Sequence, residues 1–169
     1  MVRIETVLSS WKAVREDTAQ AVEALPADDL RYQPIEGVMC FVDIARHILE
    51  SSYALAGMLV DGVEDMSGPE FRPMVQKYAE EVRVTEDVQA LAKELRSALD
   101  RQSAELAVQA PEFFSAEITR FDGQRVTRLE MLQFVKEHEL THRAQLFLYL
   151  RMKGIVPPTT RRRLAKAKA

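Results

Sequence analysis

Apolar side chains recur three and four positions apart along four stretches of the chain, the spacing of one face of an α-helix. Over residues 4–25, Ile4, Val7, Leu8, Trp11, Val14 and Val22 fall on one side, and Pro26 ends the pattern. A second stripe, within Cys40 to Val60, comprises Ile44, Ile48, Ser51, Leu55 and Leu59. The third helix is predicted to start at Thr85, an N-cap type followed by Glu86 and Asp87 at the positive end of the helix dipole. Its stripe is Val88, Leu91, Leu95, Leu99 and Leu106, with Pro111 beyond its end. The fourth has the clearest punctuation: Thr127-x-x-Glu130 is a capping box, and Gly154 with Pro157 and Pro158 is a stop. Just before it, EITRFDGQRVT alternates about Asp122-Gly123, which predicts a β-hairpin.

The connections set the topology. Roughly 15 residues join the first two helices and roughly 25 join the second and third, including Gly62, Gly68, Pro69 and Pro73. The pattern predicts an all-α four-helix bundle with a long helix 2–3 connection and a small β-hairpin before helix 4. One domain over residues 1–158 and a basic tail over 159–169 accommodate all of it. A chain of 169 residues can bury a core without disulfides or a structural metal.

Composition narrows the class. The chain is 47% hydrophobic and 29% charged, ordinary for a globular domain, and no apolar run nears the ~20 residues of a membrane span. The start turns charged at once, unlike a secretory signal, and the single cysteine, Cys40, fits a reducing compartment; a cytoplasmic protein is expected. The net charge of −3 hides an asymmetry: eight basic and no acidic residues follow from Arg143 onward, while the first 142 residues hold 15 basic against 26 acidic. The tail, TTRRRLAKAKA, lacks aromatic interleaving, so a solvated terminus is expected and nucleic acid is not an expected partner.

The candidate chemistry lies in HELTH, residues 138–142, which spells the H-E-x-x-H signature of zinc peptidases. Common peptidases of that type take a third ligand downstream, but no His, Asp, Glu or Cys follows His142, and no substrate-binding sheet is foreseen. Glu139, about 100° around the helix from His138, reads as a surface or supporting residue and not as a general base. The chain holds three histidines, His47, His138 and His142, and all fall on inward stripes. His138 and His142, four apart, face the same way. Three unpaired imidazoles in one core would be costly, and a divalent ion (Zn, Ni or Fe) removes that cost while keeping a coordination position open.

His47 in ARHILESSYALAGML, the hairpin FDGQRVTRLEML and the segment EHELTHRAQLFLYLRMKGIVPP resemble the DinB-like superfamily of four-helix-bundle metal-dependent proteins. The resemblance spans roughly residues 3–158 and implies that His47, His138 and His142 bind one divalent metal. It implies a transferase dependent on a low-molecular-weight thiol, or a hydrolase, acting on a small molecule; the alternative is a non-catalytic metal-binding or stress-response bundle. It also implies a homodimer through helix faces, for which apolar residues of helices one and three are the candidates. Cys40 departs from the Ser or Thr cap frequent in such proteins and, about two turns from His47, reads as structural. Glu50 is the candidate acid–base residue; Ser51, Tyr53, Trp11 and Tyr149 are candidate neighbours of the site.

Overall fold

The computed structural model describes residues 3–80, 82 and 87–167. Its helices are α1 (Ile4–Ala24), α2 (Phe41–Val60), α3 (Phe71–Ala79), α4 (Val88–Ala107), α5 (Pro111–Ser115), α6 (Arg128–Met152) and α7 (Pro158–Lys166). A two-stranded sheet, β1 (Glu117–Thr119) and β2 (Arg125–Thr127), lies between α5 and α6. The four long helices α1, α2, α4 and α6 form the expected bundle. α1 packs against α4 and α6, and α2 packs against the same two, so α1 and α2 hold opposite corners and touch only slightly. The first connection therefore crosses the bundle, which accounts for its length.

The apolar stripes meet as two core clusters. Ile44, Ile48, Leu91, Leu95, Leu146 and Leu150 belong to one, and Trp11, Leu55, Leu59, Leu99, Met131 and Val135 to the other. Along α6, His138 and His142 fall between Val135 of one cluster and Leu146 of the other.

The ends of α6 follow their sequence signals. The Glu130 carboxylate accepts the Thr127 backbone N–H at 2.7 Å, and the Thr127 hydroxyl accepts the Glu130 N–H at 3.2 Å, so both halves of the capping box form. Gly154, at φ 74°, takes the left-handed conformation that closes the helix, and the Ile155 N–H reaches back to the Leu150 carbonyl. In the hairpin, Ile118 pairs with Val126 and Gly123 turns at φ 81°. The turn is wider than a two-residue one, since the Arg120 N–H still bonds the Gln124 carbonyl. The α2–α3 connection is stitched to the free edge of β1: the Thr119 N–H donates to the Glu64 carbonyl and the Met66 N–H to the Thr119 carbonyl, each at 2.8 Å.

Three expectations change. The α2–α3 connection contains a helix that the stripes did not reveal: α3 packs on α2 where Gly57 lets the Tyr78 ring approach, since a Cβ there would lie 2.8 Å from it. The predicted cap Thr85, with Glu86, lies outside the described residues; α4 starts at Val88, and the Asp87 side chain caps it by accepting from the Ala90 N–H. Pro111 lies beyond the end of α4, as expected, and opens the short helix α5, because proline suits the first helical turn. The large apolar side chains exposed among the described residues are not on α1 or within α4: Ile35 and Met39 lie in the α1–α2 connection, Val108 caps the end of α4, and Leu148, Met152, Val156 and Leu164 lie along α6 and beyond.

The basic tail is exposed over residues 161–167, as expected of a solvated terminus, but it is ordered as a helix. Pro158–Lys166 is helical, and Arg162 pairs with the mostly buried Asp17 of α1, which also binds Arg143 of α6. Arg162 is half-exposed, so solvent screening keeps the pair weak. Arg162→Ala is expected to cost less than about 1 kcal/mol, seen as a fall of a few degrees in Tm. A collapse of the melting transition would show that α7 instead holds the core together.

Candidate metal centre

α2 and α6 pack side by side, and each turns its histidines toward the other. His47 Nε2 lies 3.1 Å from His138 Nε2, and His142 Nε2 lies 3.2 Å from the same atom. The three donor atoms all fall within 4.8 Å of one another. The three rings pack edge to face, with centroids 4.5 to 4.9 Å apart. Nitrogens bound to one tetrahedral ion at ~2.0–2.1 Å sit a little over 3 Å apart, so these separations suit a single small divalent cation.

The outer ring nitrogens select the tautomer. His142 Nδ1 lies 2.8 Å from Gln145 Oε1, an acceptor, so Nδ1 carries the proton and Nε2 keeps its lone pair. His47 Nδ1 lies 3.2 Å from the Ser51 hydroxyl, which can accept in the same way. Burial, then the charges of His142 and His47, push His138 down to about 4, and burial with His142 lowers His47. Both rings are therefore neutral near pH 7 and present lone pairs. Three inward lone pairs at this spacing repel unless a cation or a shared proton lies among them, and imidazole suits Zn, Ni or Fe. The donor set fits a divalent metal.

Glu139 is not the surface residue its sequence position suggested. It is fully buried, and its carboxylate turns from the imidazoles into a network that spans the bundle. Arg15 of α1 grips both oxygens, Nε to Oε1 at 2.8 Å and Nη2 to Oε2 at 2.9 Å. The Trp11 indole N–H donates to Oε2 at 2.7 Å and the Thr18 hydroxyl to Oε1 at 3.0 Å. Arg15 further donates to Ser52 of α2 and to the Leu95 carbonyl of α4. All four long helices are thus tied to one ion pair behind the histidines. Sequence reasoning missed Arg15, although its place four after Trp11 on the inward stripe was a signal.

The remaining candidates are dispersed. Ser51 touches His47, as the i+4 spacing implied. Glu50 is half-buried, and with Gln76, Ala79, Glu80 and Val82 it lines a depression of about 490 Å³. It is not part of the three-histidine group, and burial raises its pKa against the opposing charge of Arg46. Trp11 serves the Glu139 network. Tyr149 donates to the Met39 carbonyl and packs edge-on against Tyr32. The Tyr53 carbonyl accepts from Gln102. Cys40 is buried at the start of α2 and donates to Asp43 at 2.9 Å, outside the histidine group. No helix among the described residues is long and apolar enough to cross a membrane.

The sequence model of the DinB family matches residues 1–168. The uncharacterized protein YjoA of Bacillus subtilis is 25% identical over 160 residues, covering 91% of this chain and 93% of YjoA. The crystal structure of YjoA, a DinB-like protein, superposes with a TM-score of 0.69 at 26% identity, covering 88% of this chain and 92% of that one. YfiT from Bacillus subtilis, described as a probable metal-dependent hydrolase with an unusual four-helix bundle topology, shares the fold at 16% identity. Its TM-score is 0.70, over 92% of this chain and 91% of YfiT. A mycothiol-dependent maleylpyruvate isomerase shares it at 15% identity and a TM-score of 0.62, over 86% of this chain and 61% of the isomerase.

Proposed function

Because this chain belongs to the DinB family, we propose that it is a metal-dependent enzyme acting on a small molecule, as a thiol-dependent transferase or a hydrolase. His47, His138 and His142 are its metal ligands. The observation that carries the reading is the convergence of three imidazole Nε2 atoms, 3.1 and 3.2 Å from the middle one, with outer partners on His47 and His142 that turn those two lone pairs inward. An ion held by three imidazoles with a position open acts as a Lewis acid, making a thiol or water acidic enough to supply a nucleophile near neutral pH. Support comes from the chemistry ascribed to YfiT and from the thiol dependence of the isomerase.

The chain's own residues do the rest. Ser51 and Gln145 hold two of the rings in register. Glu50, one turn after His47, is assigned the proton transfer on the condition that its carboxyl turns from the depression it lines toward the metal; burial already raises its pKa, which suits acid–base work. Glu50→Gln should remove one limb of the pH–rate profile while leaving metal content unchanged; an unaltered profile would dismiss Glu50. The enzyme is proposed to work in the cytoplasm and as a homodimer; light scattering tests the dimer directly.

The reading as a whole is tested by elemental analysis of purified protein, joined to a screen of low-molecular-weight thiols and hydrolysable esters and amides. About one Zn, Ni or Fe per chain and turnover with one such substrate are expected. Protein that takes up none of these metals on loading would overturn the proposal.

A further inference from the structure

The hairpin brings a cation and an aromatic wall to the rim of the histidine group. Phe134 stands one turn before His138 on α6, with ring centroids 6.4 Å apart, and is partly exposed. Phe121 of the hairpin turn packs on Phe134 at 5.6 Å, and Phe71 at the start of α3 stacks on Phe121 at 5.1 Å. Over this wall lies Arg120, its guanidinium carbon 4.8 Å from the Phe134 ring and 5.8 Å from Phe121. The fork is set in place by bonds that use Nε and Nη2: both bind the Asp122 carboxylate, and Nη2 also reaches Gln124 Oε1 at 3.1 Å. Nη1 is not used in these bonds. The Arg120 side chain is only 17% exposed.

Structural duty alone does not require this arrangement. A turn residue that merely bridged Asp122 could extend into water; here the charge is drawn over Phe134, about one helical turn (~5.4 Å) from His138 along α6. A guanidinium held by one carboxylate and one amide oxygen, with Nη1 outside those bonds and aromatic rings beside it, is suited to a second planar anion.

We propose that Arg120 is the substrate-specificity residue of this centre, binding the carboxylate of a small acid whose apolar body lies along Phe134 and whose other end reaches the histidine group. The assignment rests on the metal–thiol reading above and adds to it the substrate class: organic acids with an apolar segment between anion and reacting group. Asp122 is then a competitor as well as a brace. Arg120 holds it down to about 2, so it is ionised at neutral pH and partly offsets the charge offered to substrate.

A rigid pair of probes reads the subsite apart from catalysis. Cobalt-substituted protein is titrated with 4-(mercaptomethyl)benzoate and with the neutral 4-(mercaptomethyl)benzamide, following the sulfur–cobalt charge-transfer band. Wild type should favour the acid by roughly five- to tenfold, the strength of one partly screened charge-assisted contact. Arg120→Gln should abolish that preference with unchanged cobalt content and unchanged amide affinity. Asp122→Asn should increase the preference, which a purely structural pairing would not do. Equal binding of acid and amide to wild type overturns the subsite alone. If neither thiol perturbs the cobalt spectrum, the thiol reading and this assignment fall together.

Discussion

Glu139→Ala is expected to destabilise the protein by about 3–5 kcal/mol, the usual cost of removing one partner from a buried ion pair. The carboxylate is fully buried and accepts four bonds, from Trp11, Thr18 and twice from Arg15. Alanine leaves Arg15 charged, buried and bound only to neutral oxygens, and leaves the Trp11 N–H without its acceptor. Domains are stable by roughly 5–15 kcal/mol, so much of the folded population is at stake. Glu139→Gln keeps the shape and one acceptor oxygen and should cost less, with metal per folded chain unchanged. The joint change Arg15→Met and Glu139→Leu should recover much of the loss, because apolar replacements of buried pairs are often neutral. Urea unfolding measures all three; a Glu139→Ala midpoint equal to wild type would show that the network organises nothing.

The largest functional effect is expected from His138→Ala. His138 is the middle donor, with Nε2 within 3.2 Å of both other imidazoles, so its loss leaves two nitrogens on different helices. Outer-sphere partners of a metal typically contribute 10–100-fold in affinity, and a ligand should contribute more than about 100-fold. His47→Ala and His142→Ala should act alike, while Ser51→Ala and Gln145→Ala should fall in the milder range. The measurement is bound metal after dialysis against a chelator of known affinity. Full occupancy in His47→Ala would remove α2 from the site.

How legible all this was in the sequence depends on which force positions each part. The four long helices, the capping box at Thr127 and the closing Gly154 follow from local periodicity and backbone chemistry, which a sequence states directly. The histidine group was legible because His138 and His142 share a face by spacing and His47 was the remaining imidazole. The Arg15–Glu139 network was not, because charged residues default to the surface and only tertiary pairing shows otherwise. Helix α3 was hidden by Pro73 and by a short amphipathic stretch whose partner, Tyr78 over Gly57, is distant in sequence. α7 lacks an apolar stripe; Arg162 ties it to Asp17 by charge, and no periodicity registers that.

The diagonal placement of α1 and α2 has a kinetic consequence. A bundle whose consecutive helices are neighbours can begin as a local helical hairpin; here α1 finds no adequate partner until α4 and then α6 have been made. During synthesis the apolar stripe of α1, with Trp11 and Arg15, stays exposed while more than half the chain emerges. Contacts so distant in sequence slow the search for the native state. A fragment ending before Val88 should therefore be unfolded by circular dichroism, and the ribosome-bound nascent chain should remain open to holdase chaperones until α6 is free of the exit tunnel.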